Sequence, residues 1–113
     1  MDITYSNAKV KTQCTSIRQA KKDFPEKIAK KLHKVVQFIE SADSLEDVIN
    51  MPTYHFHNLK GDKEGGYALD IDGRRSGYRL LVTFHSVDNA VVFSQSISIK
   101  AIEIKEVSNH YGK

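Results

Sequence analysis

Two arginines, Arg74 and Arg79, stand five residues apart in the run RRSGYRLLVTF. A third, Arg75, adjoins the first, Lys60 lies in LKGD (Leu59 to Asp62), and His110 and Tyr111 are neighbours near the end of the chain. Guanidinium is always charged and donates two parallel hydrogen bonds to a phosphate. An imidazole with a pKa near 6.5 gives or takes a proton at neutral pH. A tyrosine ring stacks on a nucleobase for roughly 1–3 kcal/mol. Acid/base, phosphate-binding and stacking groups in one small chain suit the cleavage of RNA.

Each of these residues also has a plainer reading. Arg74 and Arg75 can be charges that keep a turn soluble, and Lys60 can be a solvated loop residue. His110 and Tyr111 can be a polar tail. Arg79 is different, because it lies between Tyr78 and Leu80 in a largely apolar strand. An unpaired charge there costs several kcal/mol, so it requires a carboxylate or a ligand phosphate, and Asp70 is the obvious structural partner. His55 and His57 alternate onto one side of an extended segment and could converge on a metal, but the sequence offers no evident third ligand, so no metal is expected. His33 reads as a packed or surface helical residue, and His85 as the end of a strand.

The elements that must position these groups follow from periodicity. Ile3 and Tyr5 alternate as a short opening strand, and Ser6 can cap a helix burying Val10, Cys14 and Ile17. Pro25 suits a first helical position, and Ile28, Leu32, Val35, Val36 and Ile39 form an apolar stripe of helical period. Ser44, with Asp47 three residues on, can start a third helix ending near Met51. After Pro52 the period changes to two. Tyr67 to Ile71, Tyr78 to Phe84 and Val91 to Glu106 read as an antiparallel meander, with turns at Asp72-Gly73 and Asp88-Asn89. Helices ahead of strands predict an α+β fold in which N-terminal helices cover one face of a small, mainly antiparallel sheet and the other face is left for a ligand.

Composition sets the bounds. At 113 residues the chain suits one domain, 1–113. No apolar run approaches a membrane span, and MDITYSN lacks the basic and apolar regions of a signal peptide, so a cytoplasmic protein is expected. The single cysteine, Cys14, excludes an internal disulfide and any CxxC chemistry and reads as core. The net charge of +3 is unevenly spread: residues 1–40 hold nine Lys or Arg against four acids, residues 41–113 eight against ten. The basic half faces a polyanion or an acidic partner, or merely solvates its helices. Lys22 and Lys27 from this half, with Lys63 and Arg75, are the candidate RNA contacts.

Four segments in this order, HNLKGD (His57 to Asp62), the Tyr67-Ala68-Leu69 strand, the Arg74 to Phe84 hairpin and EVSNHYG (Glu106 to Gly112), resemble the RelE/ParE superfamily of bacterial toxins. Within it the likeness is to the HigB-like ribosome-dependent mRNA interferases, and it runs over most of the chain. The resemblance implies a RelE-like fold and no cofactor. It implies an endoribonuclease that enters the ribosomal A site and cuts mRNA by attack of the ribose 2′-hydroxyl on the adjacent phosphate. Carried over, Arg74 and Arg79 are the basic transition-state residues, Lys60 the loop lysine, and His110 and Tyr111 the terminal pair. His110 would protonate the leaving 5′-oxygen or accept the 2′ proton. The implied partners are a cognate, HigA-like antitoxin, in a heterotetramer among other assemblies, and the ribosome with its mRNA. Two other readings stand beside this one: a ParE-like inhibitor of DNA gyrase that acts without hydrolysis, and a non-catalytic domain whose basic helices dock another protein.

Overall fold

The computed structural model describes residues 1–59 and 66–109. Lys60, Lys63, His110 and Tyr111 lie outside the described residues.

The longest helix follows directly from the apolar stripe. α3 (Glu26–Ser41) buries Ile28, Ala29, Leu32, Val35, Val36 and Ile39, while its lysines face outward. Pro25 occupies the capping position just before the first turn and not the first helical position. Glu26 opens the helix and pairs with Lys30 at 2.9 Å, a one-turn pair that also complements the helix dipole.

The stretch read as one helix before Pro25 is two. α1 (Ala8–Thr15) is capped by Asn7, whose side chain accepts from the Val10 amide, and α2 (Ile17–Asp23) is capped by Ser16, which accepts from the Gln19 amide. Ser16 is extended (φ −119°, ψ 110°), so its hydroxyl replaces the backbone partner that a continuous helix would supply. The break turns Ile17 outward, where it is exposed and not buried as its spacing suggested. Val10 and Cys14 are in the core. Asp23 accepts from Gln13 across the break and from Gln19 within α2, and His33 Nε2–H donates to the Gln13 carbonyl at 3.0 Å, tying α1 to α3. α4 (Leu45–Ile49) starts after Ser44 and buries Leu45 and Val48.

Among the described residues, five strands make one sheet in the order β1-β5-β4-β3-β2. β1 (Asp2–Tyr5) runs parallel to β5 (Ala101–Asn109), and the other neighbours, β2 (His57–Asn58), β3 (Tyr67–Asp70), β4 (Tyr78–Thr83) and β5, are antiparallel. This is the α+β fold with a mainly antiparallel sheet that the sequence predicts. Two stretches read as strand are not. Tyr54, read as the start of the alternation after Pro52, ends a 3-10 turn (Pro52–Tyr54), because proline supplies a fixed φ and no amide for a ladder, and the strand begins only at His57. Residues 89–91 and 96–98 are also 3-10 turns, so β5 starts only at Ala101. This connection is held by buried Val92 and Ile99, and Phe93 closes over Phe56 and Tyr67.

Register separates the two faces of the sheet, since residues directly opposite one another share a face. Tyr67 opposite Val82, Leu69 opposite Leu80, and Val82 opposite Ile104 face the helices and form the core. His57, Ala68, Asp70, Arg79 and Leu81 face the other way, joined on β5 by Glu106 and Ser108. This second face is not left open along β3 and the middle of β4: Ala68, Asp70 and Leu81 are buried. A bulge between Leu81 and Val82 lets β5 gain one residue on β4 there.

Candidate active site

Arg79 and Asp70 organise the second face. They are opposite one another in register, and Arg79 Nε stands 2.9 Å from Oδ1 of the wholly buried Asp70 carboxylate. The Arg79 head group also donates from one terminal nitrogen to the Tyr78 carbonyl and from the other to the Arg74 carbonyl, both at 3.0 Å. Of the four terminal guanidinium N–H groups, two make no bond among the described residues. A side chain 15% exposed with two donors to spare can still meet an anion at the surface.

The same contacts hold the β3–β4 turn. Ile71 N–H bonds to the Tyr78 carbonyl at its base, Gly73 and Gly77 have φ of 77° and 82°, and the Ser76 hydroxyl accepts from the Tyr78 amide. Only glycine takes such φ values without strain, so both glycines are needed for the turn to project Arg74 and Arg75 outward. Both arginines are exposed. From α3, Lys27 reaches the turn and lies 3.4 Å from Asp72 Oδ2. Lys31 and Lys34 line a groove of about 240 Å³ whose opposite wall is Tyr54, Asp72 and Gly73. Arg74, Arg75, Arg79 and Lys27 thus gather around one turn.

Lys22 belongs elsewhere. It lines a cleft of about 620 Å³ with Lys9, Gln13, Phe24 and Lys105, between α1, α2 and β5. The Phe24 ring meets Tyr78 edge-on at 6.0 Å, so the cleft reaches the end of the sheet where Tyr78 pairs with Asn109.

Reading the sequence alone missed one cluster on this face. His55 and His57 stack at 4.4 Å between ring centroids, and His55 Nδ1 is 3.5 Å from Asp70 Oδ2. His57 Nδ1–H donates to the His55 carbonyl at 2.6 Å. His55 itself is in the left-handed region (φ 45°), a conformation that non-glycine residues adopt rarely and that costs of order 1 kcal/mol or more. The His-x-His spacing was the available signal. What it could not reveal is that Asp70, 13 residues on, would lie beside both rings.

No family model and no curated protein matches this chain. Solved structures do. YafQ from E. coli strain BL21(DE3) superposes with a TM-score of 0.56 at 13% identity, covering 96% of this chain and 91% of that one. The fold is theirs to share. A mutant of E. coli YafQ gives 0.55 at 14% identity over the same shares, and the YoeB/ParE toxin from Agrobacterium tumefaciens gives 0.52 at 11%, covering 98% and 100%. The RelE-like fold implied by the sequence resemblance is therefore the fold observed.

Proposed function

We propose that this chain is the toxin of a toxin–antitoxin pair and an endoribonuclease of the HigB-like, ribosome-dependent kind. The observation that carries the reading is the seating of Arg79: its guanidinium is paired with Asp70 and bonded to the turn bearing Arg74, and each terminal nitrogen keeps one N–H that makes no bond among the described residues and can meet a phosphate. Such preorganisation is what stabilising a pentavalent phosphorane requires, because no reorientation is needed as charge develops. In the reaction, the ribose 2′-oxygen forms a bond to phosphorus as the bond to the 5′-oxygen breaks. The 2′-hydroxyl gives up its proton, and the leaving 5′-oxygen gains one.

In this reading Arg74 and Arg79 oppose the phosphorane charge. Lys60 and His110 supply a further cation and the proton for the leaving group, and Tyr111 stacks on a base. Lys27, Arg75, Lys22 and Lys63 bind RNA phosphates. The partners are the ribosome with its mRNA and a HigA-like antitoxin, with a heterotetramer as the stored form. The shared fold with the YoeB/ParE toxin supports the toxin assignment, and the exposed cations beside α3 support a polyanionic target.

Mapping mRNA 5′ ends in translating cells that express the chain tests this. Codon-phased cuts that disappear in Arg74→Ala and His110→Ala are expected. Intact mRNA with broken chromosomal DNA would favour the gyrase inhibitor instead, and unimpaired growth would favour the non-catalytic docking domain.

A further inference from the structure

We infer that His55, His57 and Asp70 form a binding site for a zinc-class divalent cation. One ligand atom from each lies within 4.8 Å of the others. His55 Nδ1 and Asp70 Oδ2 are 3.5 Å apart, close to the ~3.3 Å edge of a tetrahedron built from metal–ligand bonds of about 2.0 Å. The histidines come from a turn and from β2, and the aspartate from the adjacent β3, so the site joins two strands that pair as neighbours.

A second observation points the same way. Among the described residues, His55 Nδ1 and both Asp70 oxygens are buried without a hydrogen-bond partner, although the Asp70 side chain is wholly buried. Arg79 Nε lies at ion-pair distance from Oδ1 but its N–H is not aligned on it, and Oδ2 is left facing His55. Buried acceptors without partners are costly, and a cation bound to Oδ2 and His55 Nδ1 removes that cost at two of the three atoms.

The tautomer is already set. The His55 carbonyl can only accept, so His57 Nδ1 carries the proton, and in a neutral imidazole Nε2 then holds the lone pair that a metal takes. This is the kind of outer contact that orients a ligating imidazole. The stacked rings lie only 24° from parallel, so one imidazole turns out of the stack for both lone pairs to meet one ion. Two imidazoles and one carboxylate suit zinc, cobalt, nickel or copper, whereas magnesium and calcium take oxygen ligands. Three protein ligands leave a fourth position, and the half-buried His55 puts it within reach of solvent.

Because Asp70 also serves Arg79, an ion here competes for the carboxylate that seats the guanidinium. The binding site itself does not depend on the proposed ribonuclease function.

Calorimetry of the chelator-treated full chain with zinc alone, and visible absorption with cobalt(II), decide the matter. Expected are one ion per chain, tetrahedral-type cobalt bands, no heat with magnesium, and affinity at least tenfold weaker in His55→Ala and in His57→Gln. His85→Ala, which removes an exposed histidine paired with Glu103, should bind as the parent does. Circular dichroism of each variant checks that it is folded, and the cobalt spectrum of the parent chain needs no variant. Absence of binding by the parent, or affinity unchanged in both His55→Ala and His57→Gln, would overturn the inference. So would loss of binding in His85→Ala.

Discussion

Asp70 and Arg79 face each other across β3 and β4, and the arginine that sets the shape of a surface turn is anchored on a carboxylate with no exposure to water. Removing either partner leaves the other charge uncompensated in the interior, at a cost of about 3–5 kcal/mol. Urea unfolding should show losses of this size for Asp70→Ala and Arg79→Ala, and the double variant should lose clearly less than the sum of the two. Additive losses would mean that the two do not act as a pair.

Gly73 isolates the conformational cost of the turn. Its φ is 77°, and a Cβ built there meets nothing within 4 Å. Gly73→Ala should therefore destabilise by about 1 kcal/mol through backbone strain alone. If the proposed function holds, mRNA cleavage should fall more than this loss of stability explains, because the turn carries Arg74. Equal stability of parent and variant in urea would remove the strain argument.

Burial pushes the Cys14 thiol up to about 12, so at pH 8 only ~10⁻⁴ of it is thiolate. The native chain should resist alkylation at that pH and react once unfolded in urea, as mass spectrometry of the adduct would show. A group whose folded pKa is raised favours the protonated native state. Its contribution to stability is therefore complete below the ordinary value of 9.0 and declines as pH rises toward about 12.

Asp23 has the opposite sign. Hydrogen bonds from Gln13 and Gln19 hold its carboxyl below the usual value of 3.8. Its contribution is present above 3.8 and is lost as pH falls through the lower folded value. The stability gap between the parent and Asp23→Ala should be steady at neutral pH and narrow below 3.8, in a series of thermal melts. A gap independent of pH would show that the contacts between α1 and α2 do not need the charge.

Lys27 is mostly exposed, and its ion pair with Asp72 crosses from α3 to the turn. Exposed pairs contribute roughly 0–1 kcal/mol, so Lys27→Ala should hardly change the melting temperature. If α3 and the turn track a phosphate backbone, the same change should weaken ribosome binding and reduce its salt slope by about one. An unchanged slope would place the RNA contact elsewhere.

How much of this could be read from the sequence depended on the range of the interactions. The α3 stripe was legible because five large apolar residues repeat with one period along one segment, and the Asp70–Arg79 pair because a strand arginine has few ways to be satisfied. The split at Ser16 was not, since both flanks keep a helical pattern and only the hydroxyl on Gln19 N–H marks the break. In the 84–100 connection, residues 91–100 resembled a strand by residue type. Its two 3-10 turns arise from how Val92, Phe93 and Ile99 pack on distant partners. The cluster of His55, His57 and Asp70 stayed hidden for the same reason: it depends on the register between β2 and β3.

The strand order has a further effect during synthesis of the chain. β5 lies between β1 and β4, yet it emerges after the other four strands of the sheet. Until residues 101–109 exist, β1 has no neighbour and the β2–β4 piece keeps an unpaired edge. Joining Ile3 to Ile102 then closes a loop of almost the whole chain, a slow kind of step. A growing chain therefore cannot complete the sheet, or the β5 row beside Arg79, until β5 has been made.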